Sequence, residues 1–329
     1  MGITNGFIGT YASENSRGVY RFTFDTDSGA LGQPELFYEA GDAKWVSLYK
    51  NTMAVPVAKD KAAGTCLLDI SEGKAKVRGE VLGETHTPCY ILQDETYVYT
   101  ANYHEGLVMI YEKRFGEKDA LCPVKKIAIA PLAGCHQILF HGPLMLVPCL
   151  TQNRILYFDR KRNFEKAGEL LFPEKSGPRH GIFNRTHSRF WVVGEWSNEV
   201  YSFAVREDRF QLLEAFPLLK KEAGAAAAVR LSGDERFLYI SLRGTDQIAV
   251  LYVGGERMEL VERVSSQGEH PRDFILSEDG QFLLAVNRNR GGLVSMKRDL
   301  KSGKIVKITG QAEIPEGVSV IPVSYTHLT

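Results

Sequence analysis

The 329-residue sequence lacks the features that would place it in a membrane or on a polyanion. No stretch reaches the ~18 to 20 consecutive apolar residues of a transmembrane helix, and the polar start MGITNG lacks the apolar centre of a signal peptide. Lys and Arg together number 40, as do Asp and Glu, so the net charge gives no reason to expect nucleic acid or a membrane surface as partner. Any basic site must be local.

Cysteine is also scarce, and its pattern is uninformative for disulfides or zinc. The chain has an odd number of cysteines and no CxxC pair: Cys66, Cys89, Cys122, Cys135 and Cys149. This excludes a disulfide framework and a zinc knuckle. No spacing of His, Asp and Glu indicates a metal site either, so we predict no metal and no cofactor. A reducing, cytoplasmic location fits best.

What the sequence does contain is a repeat of short apolar runs separated by polar turns. In residues 177–205, the runs HGIF, FWVV and VYSFAV alternate with NRTHSR and GEWSNE, which predicts three antiparallel strands. Equivalent third strands are marked by Val19, Cys66, Val108, Ile155, Val200, Ile248 and Val294, spaced 42 to 48 residues apart. Seven copies at this period predict an all-β, seven-bladed β-propeller with four-stranded antiparallel blades.

First strands precede these anchors by about twenty residues, but the two ends of the chain do not match. The predicted first strands are WVSLY (45–49), CYIL (89–92), HQILF (136–140), HGIF (180–183), AVRL (228–231), DFIL (273–276) and VSVI (318–321). The first copy starts at FIGTY without an inner strand, and VSVI has no hairpin after it. We therefore predict that VSVI pairs with the 7–24 hairpin and closes the ring.

This assignment gives a single domain over residues 1–323 and leaves 324–329 as a frayed or non-native tail. The alanine-rich stretch 221–230 favours a helix by propensity. Its position in the repeat instead predicts an inner strand from Ala227 to Leu231.

Polar side chains recur at the start of the first strand and at the end of the second strand. In an antiparallel blade these places share one rim, so all copies converge around one mouth of the central channel. The strand-one starts supply His136, Arg179, His180 and Arg272. The strand-two ends supply Asn102, Glu195, Arg243, Asn287 and Arg288.

Over nearly the whole chain, the ordered motifs resemble those of the seven-bladed lactonase family, the propeller-type 6-phosphogluconolactonases. The resemblance is carried by FIGTYASENSRGVYRFTFDTDSGALG, YTANYHEGLVMIY, GCHQ, SGPRHGIF, VVGEWSNEV, RFLYISLRGTDQIAV and HPRDFILSEDGQFLLAVNRN. It implies hydrolysis of 6-phosphoglucono-δ-lactone to 6-phosphogluconate in the pentose phosphate pathway, a carboxylic ester hydrolase activity. A related fungal branch interconverts carboxymuconate and its lactone, and its His, Arg, Glu and second Arg match His136, Arg179, Glu195 and Arg243.

Opening a lactone requires an activated water, stabilisation of the oxyanion and protonation of the leaving alkoxide. Glu195 and His136 are both candidate bases. Two neighbouring arginines would lower the pKa of Glu195 and make it a weak base, so we assign water activation to His136 and orientation to Glu195. Arg179 and Arg243 are assigned to the oxyanion and the anionic group of the substrate. The predicted substrate-binding residues are His180, Arg272, Asn102, Asn287 and Arg288.

Each assignment has a structural alternative. Glu195 and its arginines can be an ion pair that closes the channel, His136 a buried inner-strand histidine, and Asn102 and Asn287 blade-linking residues. Arg272 with Asp273 can tie adjacent blades together. Three functions therefore remain open: a sugar-lactone hydrolase, an enzyme that opens or forms a carboxylated lactone, and a non-catalytic propeller that binds a ligand or protein.

Overall fold

The computed structural model describes residues 2–114, 116, 120–219 and 224–322, and within them the chain forms seven four-stranded antiparallel sheets. The tail predicted at 324–329 lies outside the described residues. Blade 1 contains β1 (Ile3–Thr10), β2 (Gly18–Asp25) and β3 (Glu35–Glu39). Blade 2 contains β4 (Ser47–Tyr49), β5 (Thr52–Lys59), β6 (Ala62–Asp69) and β7 (Lys76–Glu84). Blade 3 contains β8 (Tyr90–Gln93), β9 (Tyr97–Asn102), β10 (Leu107–Lys113) and β11 (Leu121–Ala128).

The remaining blades follow the same order. Blade 4 contains β12 (Leu139–His141), β13 (Leu144–Cys149), β14 (Arg154–Asp159) and β15 (Glu165–Leu171). Blade 5 contains β16 (Pro178–Phe183), β17 (Arg189–Gly194), β18 (Glu199–Arg206) and β19 (Arg209–Pro217). Blade 6 contains β20 (Ala225–Leu231), β21 (Phe237–Arg243), β22 (Gln247–Tyr252) and β23 (Glu259–Ser265). Blade 7 contains β24 (Glu269–Leu276), β25 (Phe282–Arg290), β26 (Leu293–Arg298) and β27 (Ile305–Ala312), and β28 (Gly317–Pro322) ends the described chain.

Two short 3-10 turns, Leu150–Gln152 and Arg160–Arg162, flank β14. The described residues include no helix long and apolar enough to cross a membrane.

The predicted closure of the ring is confirmed. Strand β28 pairs antiparallel with β1, with Phe7 opposite Ile321 and Ile8 opposite Val320, so blade 1 combines both ends of the described chain. The apolar cluster between blades 7 and 1 includes Ile8 and Phe282, both fully buried. Closure thus removes the open sheet edges and buries apolar surface at the junction.

The predicted repeat is confirmed, with a correction in blade 2. All seven anchors lie in third strands, but Cys66 is the fifth residue of β6, whereas the other anchors are second in theirs. The equivalent residue is Ala63, which lies opposite Ala58 near the end of β5. Ala63 follows Val19 by 44 residues and precedes Val108 by 45. A buried cysteine and a buried alanine have the same apolar character, so the sequence pattern did not separate them.

The predicted inner strand HQILF is shorter than expected. Strand β12 begins only at Leu139, although the N–H of His136 still donates to the carbonyl of Pro148 in β13 (3.0 Å). The alanine-rich stretch does form an inner strand, β20, because tertiary pairing overrides helix propensity.

Three inner strands carry β-bulges at the same rim. Arg179 is the extra residue of β16, between the pairs Pro178–Gly194 and His180–Val193. Arg272 lies in the same position in β24. In β20 the register shifts between Ala226 and Val229. Bulges redirect side chains, so this common irregularity turns residues of neighbouring blades toward the channel mouth.

Candidate active site

The centre of the site is a carboxylate held between two arginines. Oε2 of Glu195 lies 2.9 Å from Nε of Arg179 and 2.7 Å from Nη2 of Arg243. The Arg179 side chain is 1% exposed and that of Arg243 10%, whereas Glu195 is 18% exposed and faces the mouth. Three of the four predicted catalytic residues, from blades 5 and 6, are therefore in direct contact at one rim.

The alanine-rich strand β20 holds both guanidinium groups. Nη1 of Arg179 donates to the carbonyl of Ala227 at 2.7 Å. Arg243 donates to the carbonyls of Ala225 and Ala226, each at 3.3 Å. The methyl side chains of this strand leave space for the guanidinium groups, and the bulge turns backbone carbonyls toward them. The low-volume sequence of β20 thus has a role in building the site.

The ion pairs fix the charge state of the carboxylate. Burial alone would raise the pKa of Glu195, but the cations of Arg243 and Arg179 outweigh it and hold this pKa below its usual value. Burial and the neighbouring Arg243 cation lower the pKa of Arg179 to about 9, which leaves Arg179 protonated at neutral pH. The group of three therefore carries one net positive charge.

Two neutral histidines lie beside this group. The ring centroid of His136 is 5.1 Å from that of His180 and 6.0 Å from that of Tyr103. Burial, followed by the cations of Arg179 and Arg272, holds the pKa of His136 well below its usual value. Burial and Arg179 have the same effect on the pKa of His180. Both imidazoles are therefore neutral at neutral pH, and the lowered pKa makes each of them a weaker base than a free imidazole.

Gln137 fixes the histidines relative to each other. Its Oε1 accepts a hydrogen bond from the N–H of Gly181 at 2.7 Å, and its Nε2 donates to the carbonyl of Gly181 at 3.3 Å. These two hydrogen bonds link blade 4 to β16 in blade 5. Because Gln137 follows His136 and Gly181 follows His180, the link sets the spacing of the two imidazoles.

The predicted substrate-binding arginines lie around one aromatic ring. Cζ of Arg288 is 4.6 Å and Cζ of Arg272 is 5.3 Å from the ring centroid of Tyr11. Arg288 also pairs with Glu316 at 2.7 Å. Within the described part of the chain, Arg272 makes no ion pair with a carboxylate. The expected tie through the PRD motif is made instead by Asp273, which pairs with Arg230 at 2.7 Å.

The two predicted substrate-binding asparagines are turned away from this role. Both are fully buried. Nδ2 of Asn102 donates to Oε2 of Glu84 at 2.6 Å and to the carbonyl of His86 at 2.7 Å, and Nδ2 of Asn287 donates to the carbonyl of Ser266 at 3.1 Å. These bonds join successive blades. The blade-linking alternative is therefore favoured over substrate binding for both.

Comparison with known proteins decides the family. The family model described as "Lactonase, 7-bladed beta-propeller" matches residues 5–322. The chain belongs to this lactonase family. A 6-phosphogluconolactonase of Bacillus subtilis (strain 168) is 30% identical over 340 residues, covering 96% of this chain and 97% of that protein.

Solved structures share the propeller of this lactonase-family chain. A Lactobacillus plantarum protein is 25% identical with a TM-score of 0.90, covering 98% of this chain and 100% of its own. The Pseudomonas aeruginosa periplasmic gluconolactonase PpgL is 23% identical with a TM-score of 0.87, covering 98% and 99%. At 23% identity, the similarity to PpgL is evidence of a shared fold and not of a shared activity.

Two residues at the mouth of this lactonase propeller were missed by the sequence analysis. Tyr11 directly follows β1, the second strand of blade 1, and Lys44 precedes β4, the first strand of blade 2. Nζ of Lys44 lies 5.6 Å from the ring centroid of Tyr11. Glu195 and Arg179 were selected because they lie at the end of a second strand and at the start of a first strand. The same criterion, applied to FIGTY and to AKWVSLY, selects Tyr11 and Lys44. Within the described residues, no cluster of three or more His, Cys, Asp or Glu has metal-binding geometry.

Proposed function

We propose that this protein hydrolyses a phosphorylated sugar lactone, 6-phosphoglucono-δ-lactone, to 6-phosphogluconate. The observation that carries the proposal is the ionised Glu195, bound by Arg179 and Arg243 beside the neutral imidazole of His136. Family membership and the similarity to a 6-phosphogluconolactonase support it. The positive charge of the mouth is complementary to an anionic substrate.

In the proposed mechanism His136 accepts a proton from a water molecule as the water attacks the lactone carbonyl carbon. Arg243, the more exposed of the two arginines, stabilises the oxyanion that forms. Arg179 is almost completely buried and bound to Ala227, so its role is to position Glu195. The ring C–O bond then breaks, and the His136 imidazolium returns its proton to the leaving alkoxide. The products are a hydroxyl group and a carboxylic acid, which ionises.

The second candidate substrate is a carboxylated lactone such as a carboxymuconate derivative. It is favoured by the types of the four central residues, His136, Arg179, Glu195 and Arg243, which suit a carboxylate as well as a phosphate. We propose a cytoplasmic location, with which five free thiols are compatible. The pentose phosphate pathway follows only from the proposed substrate.

A pH-stat assay tests the proposal. Fresh 6-phosphogluconolactone, unphosphorylated gluconolactone and a carboxymuconolactone are supplied in parallel, and the spontaneous rate is subtracted from each. We expect the highest kcat/KM on the phosphorylated lactone. A higher kcat/KM on the carboxylated lactone would establish the second candidate. Rates equal to the spontaneous ones on all three would indicate a non-catalytic binding propeller.

A further inference from the structure

Three cations surround the ring of Tyr11 at the channel mouth. Nζ of Lys44 and the Cζ atoms of Arg272 and Arg288 lie 5.6, 5.3 and 4.6 Å from the ring centroid. These residues come from blades 1, 2 and 7, whereas Glu195 and its two arginines come from blades 5 and 6. The cation cluster and the carboxylate group therefore occupy different sectors of the same seven-bladed ring.

Two of these cations lack a counter-charge. Arg288 pairs with Glu316 at 2.7 Å, but neither Lys44 nor Arg272 lies within ion-pair distance of a carboxylate of the described residues. Lys44 is only 8% exposed. Most of the lysine is covered and neither cation has a carboxylate partner among the described residues, so both cations are available to an external anion.

The Arg272 cation of the cluster acts electrostatically on two of the catalytic candidates. The Arg272 cation contributes to the lowered pKa of His136, after burial and Arg179. The Arg272 cation also adds to the lowering of the Arg243 pKa, of which burial is the main cause. An anion bound near Tyr11 would thus belong to a molecule that also reaches Glu195 and His136.

The backbone holds Tyr11 in place before any ligand binds. The N–H of Tyr11 donates to the carbonyl of Glu316 at 3.1 Å, and the N–H of Thr10 donates to the carbonyl of Ala43 at 3.1 Å. The N–H of Ala12 donates to Oδ1 of Asp42, also at 3.1 Å. The segment is therefore fixed between blade 2 and the closure of the ring. Such a preformed site avoids the entropic cost of ordering a loop on binding.

We propose that Lys44, Tyr11 and Arg272 form the subsite for the phosphate of the lactone, with Arg288 held beside them by Glu316. This inference rests on the proposed function and specifies where its substrate binds. A phosphate monoester carries about −1.5 to −2 charges at pH 7, which the two unpaired cations match, whereas one carboxylate would leave a cation unpaired. In a 6-phosphohexono-δ-lactone C1 and C5 flank the ring oxygen and the phosphate extends from C5 through C6, and blade 7, which supplies Arg272, directly follows blade 6, which supplies Arg243.

The test compares Lys44→Met and Arg272→Met on phosphorylated and unphosphorylated gluconolactone. Methionine retains most of the apolar stem and removes only the charge. Removing one charge-assisted contact should lower kcat/KM on the phosphorylated lactone roughly 10-fold or more, through KM, in either variant, and Lys44→Met should change kcat/KM on gluconolactone less than about twofold. Lys44→Arg keeps the charge and should retain most of the wild-type kcat/KM on the phosphorylated lactone.

Arg290→Met is the matched control, since Arg290 is exposed on the same blade as Arg272 and pairs with Glu269.

A binding measurement separates this inference from the proposed function. By calorimetry, 6-phosphogluconate should bind the wild-type protein more tightly than gluconate, and Lys44→Met should remove the difference. If wild-type protein hydrolyses no lactone yet shows this binding pattern, the subsite stands and the proposed function fails. If wild-type protein hydrolyses the lactones and the variants weaken both equally or neither, the subsite is overturned and the function stands. A KM effect confined to a carboxylated lactone would also overturn the phosphate assignment.

Discussion

At Glu195, one carboxylate oxygen contacts two guanidinium groups, and this contact decides how the catalytic roles divide. A carboxylate whose pKa is lowered by two cations is a weak base, although its position is well defined. His136 is kept neutral by burial and by the Arg179 and Arg272 cations, and its lowered pKa makes it a weaker base than a free imidazole. The lowered pKa values do not separate the two residues, and we assign the proton transfer to His136 because Oε2 of Glu195 is already bound by two guanidinium groups.

We predict that His136→Ala lowers kcat on the preferred lactone by roughly 100-fold or more, the usual scale for a positioned acid-base group. Glu195→Gln preserves shape and removes charge, and should lower kcat less. Both values come from the pH-stat assay, with His187→Ala as control, because His187 lies in the turn between β16 and β17 on the opposite rim. If His136→Ala keeps wild-type turnover while Glu195→Gln abolishes it, the two roles must be exchanged.

Residue types and rim positions could be predicted from the sequence, but individual contacts could not. The repeat brought Arg179, Glu195 and Arg243 to one rim because strand order fixes which ends meet. It gave no information on whether the amide of Asn102 points to the channel or to Glu84. That choice depends on the buried carboxylate of Glu84, which belongs to the preceding blade and lies 18 residues earlier in the sequence.

At the scale of the strands, Glu84 links the end of β7 to the second and third strands of the next blade. It accepts hydrogen bonds from Nδ2 of Asn102 and from the hydroxyl of Tyr111 (3.2 Å). Burial nevertheless raises the pKa of Glu84 from 4.5 to about 7. A raised folded-state pKa favours folding while the group is protonated. This contribution is therefore complete below about pH 4.5 and is lost as the pH rises through 7.

We predict that Glu84→Gln, which keeps the shape and removes the ionisation, makes the free energy of unfolding less sensitive to pH. Relative to the wild type, the variant should gain on the order of 1 to 3 kcal/mol between pH 5 and pH 8. Urea titrations at the two pH values measure the difference. Glu72→Gln, an exposed acid in the same blade, should show no such gain. An equal pH dependence in wild type and Glu84→Gln would contradict the role of Glu84.

The closing strand gives a second prediction at this scale. Deleting the chain from Gly317 onward removes β28, exposes the edge of β1 and loses the buried Val318 and Val320. We expect a loss of several kcal/mol and a lower thermal midpoint by calorimetry. Deleting only residues 323–329 keeps β28 and is the control. An unchanged midpoint after the longer deletion would show that closure contributes little to stability.

The strands themselves could be predicted because each repeat restates the same alternation of apolar runs and turns. The bulges could not, because PRH in β16 and PRD in β24 read as ordinary strand starts. A bulge depends on how the extra residue is accommodated by the neighbouring blade, as when Arg179 reaches the carbonyl of Ala227. These irregularities are where the candidate site departs from the repeat.

Over the whole molecule, a formal net charge of zero coexists with a positively charged mouth. Several ion pairs of the described residues, such as Arg17–Glu39 and Arg162–Glu165, join exposed side chains and contribute little to stability. At the mouth, in contrast, Arg179 and Arg243 share one carboxylate, and Lys44 and Arg272 have none among the described residues. The field that a substrate meets is therefore set by the arrangement of charges around the ring and not by their sum.

This arrangement predicts that kcat/KM on phosphorylated gluconolactone falls as NaCl is raised from about 20 to 300 mM. The Debye length shortens to below roughly 8 Å over this range, so the attraction of the mouth for a dianion is increasingly screened. We expect a decrease of several-fold, whereas kcat/KM on uncharged gluconolactone should change little, since it has no charge to screen. Arg272→Met should flatten the salt dependence on the phosphorylated lactone, and Arg290→Met should leave it unchanged. Parallel salt dependences for the two lactones in the wild-type protein would mean that salt acts on the catalytic group itself and that the mouth does not attract the substrate through its charge.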